Sequence, residues 1–92
     1  MLEKTVERYL KQQVEKLGGK CYKWVSPGNK GVPDRIAFVC QQIWTIETKS
    51  PTGRLSPMQE HVGKEMRKHT LNYIVISTKE EVDQWLKIVT GR

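Results

Sequence analysis

The chain is poor in cysteine, with two, and in phenylalanine, with one, and it has no long apolar run. Two cysteines are too few for a disulfide framework, so Cys21 and Cys40 are expected as reduced core residues on separate strands. A zinc site drawn from Cys21, Cys40, His61 and His69 is disfavoured because it lacks the closely paired spacings of zinc ligands. The missing apolar run excludes a membrane span, and MLEKTVERYLKQQVEKLGG has no apolar stretch of the signal-peptide kind. No membrane partner is expected, and a cytoplasmic location is. Acidic residues are also scarce, 10 against 16 lysines and arginines, for a formal charge of +6. Such an excess suits a polyanionic partner. The cations are scattered, so any binding face has to be assembled by folding. Repeats and low-complexity segments are absent too, which leaves one ordered domain over 1–92 with a modest core.

What is present is clear periodicity. Leu2, Val6, Leu10, Val14 and Leu17 recur at helical spacing up to the stop at Gly18-Gly19. Lys20 to Val25 alternates as a strand, and Ser26 to Gly31 is a loop by composition. Ile36 to Val39 and Ile43 to Lys49 read as a hairpin joined through Gln41-Gln42. Ser56-Pro57-x-Gln59 is a capping box that opens a helix reaching His69, with Met58, Val62 and Met66 as its buried stripe. Gly63 weakens that helix by about 1 kcal/mol relative to alanine, and close packing is the reason to expect it there. Tyr73 to Ile76 reads as a strand buried on both faces. Thr78-x-x-Glu81 is a second capping box before Val82, Trp85, Leu86 and Val89. Trp85 is core, or covers a dimer interface. The order is α-β-β-β-α-β-α, an α/β fold with a mixed central sheet flanked by helices.

The hairpin brings chemistry-bearing residues together. Alternation places Ile43, Thr45, Glu47 and Lys49 on one side of the second strand, and Asp34 begins the first. Two carboxylates and an amine then meet at one sheet edge. Hard divalent cations such as Mg²⁺ or Mn²⁺ take carboxylate oxygens and are completed by water and phosphate. The plain alternative makes Asp34 a turn residue after Pro33, and Glu47 and Lys49 a solvated pair. On the first helix Glu3 lies inside the apolar sector and Glu7 at its margin. Either offers a third carboxylate, or both are ordinary first-turn acids favoured by the helix dipole. Gln59 has two roles open to it, the helix cap and the site. Lys30 and Arg35 flank Asp34, and the loop glycines admit close approach of a phosphate.

Pro33-Asp34 followed by Glu47-Thr48-Lys49 resembles the PD-(D/E)xK nuclease superfamily. The wider pattern runs from Tyr22-Lys23-Trp24-Val25-Ser26-Pro27-Gly28 through Gly31-Val32-Pro33-Asp34-Arg35 to Glu47-x-Lys49-Ser50-Pro51 and Leu55-Ser56-Pro57-Met58-Gln59. It resembles the virus-type replication-repair nuclease (VRR-NUC) family, in its short stand-alone phage form, over nearly the whole chain. The resemblance implies a restriction-endonuclease-like core and a metal-dependent DNA endonuclease. Its catalytic residues would be Asp34, Glu47, Lys49, Gln59 and Glu7. Mg²⁺ or Mn²⁺ would be held by Asp34, Glu47, the Thr48 backbone carbonyl and Glu7, with Glu3 as the alternative. Ser26, Lys30, Arg35 and Arg54 would contact DNA. It further implies a branched substrate such as a Holliday junction, a homodimer, and the host cytoplasm for a phage-encoded chain. A non-catalytic nucleic-acid-binding module of the same fold is the second reading. A site-specific restriction-type enzyme is a third, for which 92 residues leave little room.

Overall fold

A computed structural model describes residues 2–91. Its elements are α1 (Glu3–Lys16), β1 (Lys20–Lys23), β2 (Arg35–Val39), β3 (Gln42–Thr48), α2 (Pro57–Arg67), β4 (Tyr73–Ile76) and α3 (Lys79–Thr90). The expected order holds. One four-stranded sheet runs β1-β2-β3-β4, antiparallel across the first three strands and parallel between β3 and β4. A parallel neighbour needs a crossover, and α2 supplies it.

The core lies on one face of this sheet. Val6, Leu10 and Val14 of α1 and Val82, Trp85 and Val89 of α3 pack on Cys21, Ala37, Val39, Trp44, Ile46 and Ile76. These sheet residues share a face by strand alternation. Leu2 and Leu17, at the ends of the periodic run, are exposed. Trp85 is fully buried and meets Trp44 edge-on at 5.8 Å between ring centroids, so it is a core residue. Cys21 is buried and Cys40 exposed, both as free thiols.

Helix α2 covers the other face, and not by the stripe expected from its sequence. Met58 is exposed and Val62 and Met66 are only half-buried, while Gly63 is its one buried residue. A Cβ at Gly63 would lie 2.6 Å from the Tyr73 hydroxyl. The glycine therefore lets α2 sit down on the tyrosine ring, and this rotates the methionines outward. At the start of the helix a Cβ on Gly31 would lie 2.8 Å from both Cγ and the carbonyl oxygen of Met58, and Gly31 has φ +87°. Glycine alone meets both demands easily.

The hairpin turn falls one residue earlier than expected. Cys40 and Gln41 occupy it, with φ of 52° and 65°, and Val39 pairs with Gln42. Two successive left-handed residues make a turn whose twist matches that of the strands. The shift matters for the site. A turn at Gln41-Gln42 would set Asp34 across from Lys49, whereas the observed register, continued one step past Arg35↔Ile46, sets it across from Glu47.

Candidate active site

Asp34 and Glu47 face each other because Asp34 immediately precedes β2 and the register, continued one step past Arg35↔Ile46, sets it opposite Glu47 near the end of β3, where facing Cβ atoms approach within about 5 Å. Asp34 is anchored at both its backbone and its side chain. Its carbonyl accepts from Trp24 N at 2.9 Å, and its Oδ2 accepts from the backbone N and the Oγ1 of Thr48 at 2.8 and 2.9 Å. Thr48 is fully buried, so its hydroxyl and amide form a fixed clamp on one carboxylate oxygen. The N–H and C=O of a strand residue point the same way, so the Thr48 carbonyl is directed toward the β2 side, where Asp34 lies. Lys49 N turns the opposite way and donates to Ile76 O of β4 at 2.9 Å.

Glu47 is the unusual residue. It is 1% exposed, and its Oε2 is buried with no hydrogen-bond partner. Oε1 accepts a long bond of 3.4 Å from Gln59 Nε2. Burial, and then the adjacent Asp34 carboxyl, push its pKa from 4.5 up to about 9, while Lys49 pulls it down. Glu3 adds a smaller upward push. A buried carboxyl oxygen without a donor is costly unless a cation or proton meets it. Two adjacent carboxylates in one pocket likewise favour a shared positive charge. The pair with a backbone carbonyl directed to the same side is an all-oxygen donor set that fits a hard divalent ion.

Gln59 caps its helix and also reaches Glu47. Its Oε1 accepts from Ser56 N at 2.8 Å while Gln59 N donates to Ser56 Oγ at 3.1 Å, a complete capping box. The nitrogen of the same amide is left for Glu47.

The structure does not bring Glu7 to the carboxylate pair. Arg35 Nε donates to Glu7 Oε1 at 2.7 Å, and Arg35 Nη1 donates to Cys21 O at 3.2 Å. The reason is the sheet itself, because α1 packs on the face opposite Glu47 and Arg35 alternates onto that face too. Glu3, exposed and one turn nearer the rim, is the α1 acid whose charge reaches Glu47. Among the described residues no third acid, histidine or cysteine completes a metal-binding group. Of the expected DNA contacts, Lys30 and Arg54 are exposed on loops, while Ser26 Oγ is engaged by Asn29 Nδ2 at 3.1 Å.

Sequence reading missed two neighbours. One is the Thr48 side chain, which alternation assigns to the opposite face and which reaches Asp34 only because Asp34 lies just outside the ladder. The other is Tyr73, whose pKa is raised by burial and then by Glu47, with Arg67 stacked 5.1 Å from its ring centroid. The parallel pairing Thr45↔Tyr73 places it on the Glu47 face, a register that no local motif encodes.

Fold and site together define an α/β domain with a carboxylate pair at the rim of a mixed sheet, as in the PD-(D/E)xK superfamily. A solved structure described as a VRR_NUC domain superposes with a TM-score of 0.85 at 29% identity, over 92% of this chain and 94% of the other. A phage protein named "Putative nuclease p44", from Acyrthosiphon pisum secondary endosymbiont phage 1, is 43% identical over 58 residues. That match spans 62% of this chain and 62% of the length of the phage protein. No family model matches the chain. The whole fold is thus similar to that of a VRR_NUC domain, and part of the sequence to a phage protein named as a nuclease. No helix among the described residues is long and apolar enough to cross a membrane.

Proposed function

We propose that the chain is a metal-dependent DNA endonuclease that hydrolyses phosphodiester bonds at the Asp34–Glu47 rim. The observation that carries this reading is the fully buried, unpartnered Oε2 of Glu47 beside Asp34 and within the field of Lys49. Asp34, Glu47 and the Thr48 carbonyl would hold Mg²⁺ or Mn²⁺, with Glu3 as the outer carboxylate in preference to Glu7. A bound divalent ion supplies charge stabilisation at the scissile phosphate and eases deprotonation of the attacking water.

The chain's own residues do the rest. Thr48 fixes the Asp34 oxygen that faces away, so the carboxylate keeps one orientation when substrate arrives. Lys49 follows the last residue of β3 and orients the attacking water or neutralises charge on the phosphorus. Gln59 Nε2 is a neutral donor at the pocket mouth, able to hold a phosphate oxygen without adding charge. Lys30 and Arg54 lie on the two loops beside the rim and contact the nucleic-acid backbone. A branched or junction substrate, action as a homodimer, and a cytoplasmic setting complete the proposal.

Incubation of plasmid and of a synthetic four-way junction with Mg²⁺, Mn²⁺ or EDTA tests it. Cutting that needs the cation and is lost by at least about a hundredfold in Glu47→Gln and Lys49→Ala is the expected result. An Asp34→Ala protein cutting at the wild-type rate would refute the assignment. Binding without cutting under every cation would favour the non-catalytic module.

A further inference from the structure

On the face of the sheet away from Glu47, α1 and the β1–β2 pair enclose an open cleft of about 290 Å³ lined by Lys4, Glu7, Arg8, Lys11, Lys23 and Arg35. Five of these six side chains are cationic. The one acid is spent, because Glu7 is paired to Arg35 Nε at 2.7 Å with both side chains largely buried. Lys4, Arg8 and Lys11 recur at i, i+4 and i+7, so they form one stripe along the helix. All three are exposed, as is Lys23, which sits directly across from Arg35 in the ladder. From Lys4 to Lys11 the helix rises about 10 Å, so the stripe is long enough to follow a stretch of phosphate backbone.

The position of the cleft gives it a purpose. Arg35 follows Asp34 in sequence, and alternation turns the two side chains to opposite faces of β2. The cleft therefore begins one residue from the carboxylate pair and runs away from it on the other side of the sheet. We infer that it is a second phosphate-binding track, which takes the backbone of a DNA segment continuing past the sheet rim. Acting through charge alone, it would raise affinity and fix the approach of the duplex without selecting sequence. The choice of DNA as ligand rests on the nuclease reading.

The test replaces Lys4, Arg8 and Lys11 together by glutamine and measures binding of a four-way junction in EDTA, where nothing is cut, across a range of salt. A matched variant, Lys64→Gln with Arg67→Gln and Lys68→Gln, removes the same charge from the exposed side of α2. Loss of three phosphate contacts should lower the salt slope by about 2 to 3, and affinity by at least about tenfold at moderate salt. The α2 variant should change the slope by less than half as much. Turnover with Mg²⁺ at saturating DNA should remain near wild type in the α1 variant, since none of its three residues belongs to the cutting site. An unchanged slope in the α1 variant, or an equal fall in the α2 variant, overturns the inference. The two readings fail separately. Wild-type protein that binds with the expected slope and never cuts sinks the nuclease reading alone, whereas cutting with an unaltered slope in the α1 variant sinks the cleft alone.

Discussion

Removing the ionisable proton of Glu47 should make the cation-free protein more stable at alkaline pH. With its pKa raised to about 9 from 4.5, Glu47 stays protonated in the fold over a range where the unfolded chain has already ionised. The native state then binds more protons than the unfolded one, so stability falls as pH rises, beginning near 4.5 and levelling off near 9. The slope is about 1.4 kcal/mol per pH unit, which sets a ceiling of about 5 kcal/mol by pH 8. A small domain has roughly 5 to 15 kcal/mol in all, so a loss of even half that ceiling is measurable. Burial is the leading cause, Asp34 the second, and Lys49 the opposing charge. Cys21, with a thiol that burial pushes up to about 11, leaves the same window undisturbed. Urea unfolding in EDTA at about pH 5.5 and about pH 8 should show wild type losing about 2 to 3 kcal/mol more than Glu47→Gln. Adding Mn²⁺ should restore wild type at the higher pH and release protons, because the ion requires the ionised carboxylate. Equal pH slopes for the two proteins in EDTA would refute the claim that Glu47 is the buried, proton-holding group.

Three further outcomes follow from packing and turns. Gly31→Ala should cost about 3 kcal/mol in denaturant unfolding, since it combines a left-handed backbone with overlap on Met58, whereas Gly28→Ala, at φ +81° with open space around it, should cost about 1 kcal/mol. Replacing Cys40-Gln41 by Asn-Gly should stabilise by about 1 kcal/mol, read as a shift in the urea midpoint with unchanged slope, because both positions are already left-handed. Gln59→Glu should keep the helix start, as a carboxylate still accepts from Ser56 N, and should lose cutting. Gln59→Ala should lose cutting and also about 1 kcal/mol of stability.

How far the sequence disclosed this molecule depends on whether a feature is local. The α2 and α3 starts were legible because each capping box is a four-residue pattern satisfied by its own backbone. The order of elements followed from periodicity, and Asp34, Glu47 and Lys49 could be brought to one edge by alternation alone. The turn was displaced because Cys40 and Gln41 are not residues that announce positive φ, and that displacement exchanged Lys49 for Glu47 as the partner of Asp34. Glu7 was misdirected for a different reason. A helical wheel gives the angle of a side chain but not which face of the sheet the helix will cover, nor that Arg35 will meet it there. The methionine stripe of α2 failed similarly, since only the Tyr73 ring beneath Gly63 reveals how that helix is rolled.

The Gln59 amide ties the start of a helix to the carboxylate pair. Its oxygen caps the start of α2 and its nitrogen meets Glu47, so fraying at the first turn of α2 also removes the hydrogen bond on Glu47. Amide hydrogen exchange at Gln59 would then report the fraction of molecules in which Glu47 keeps that contact.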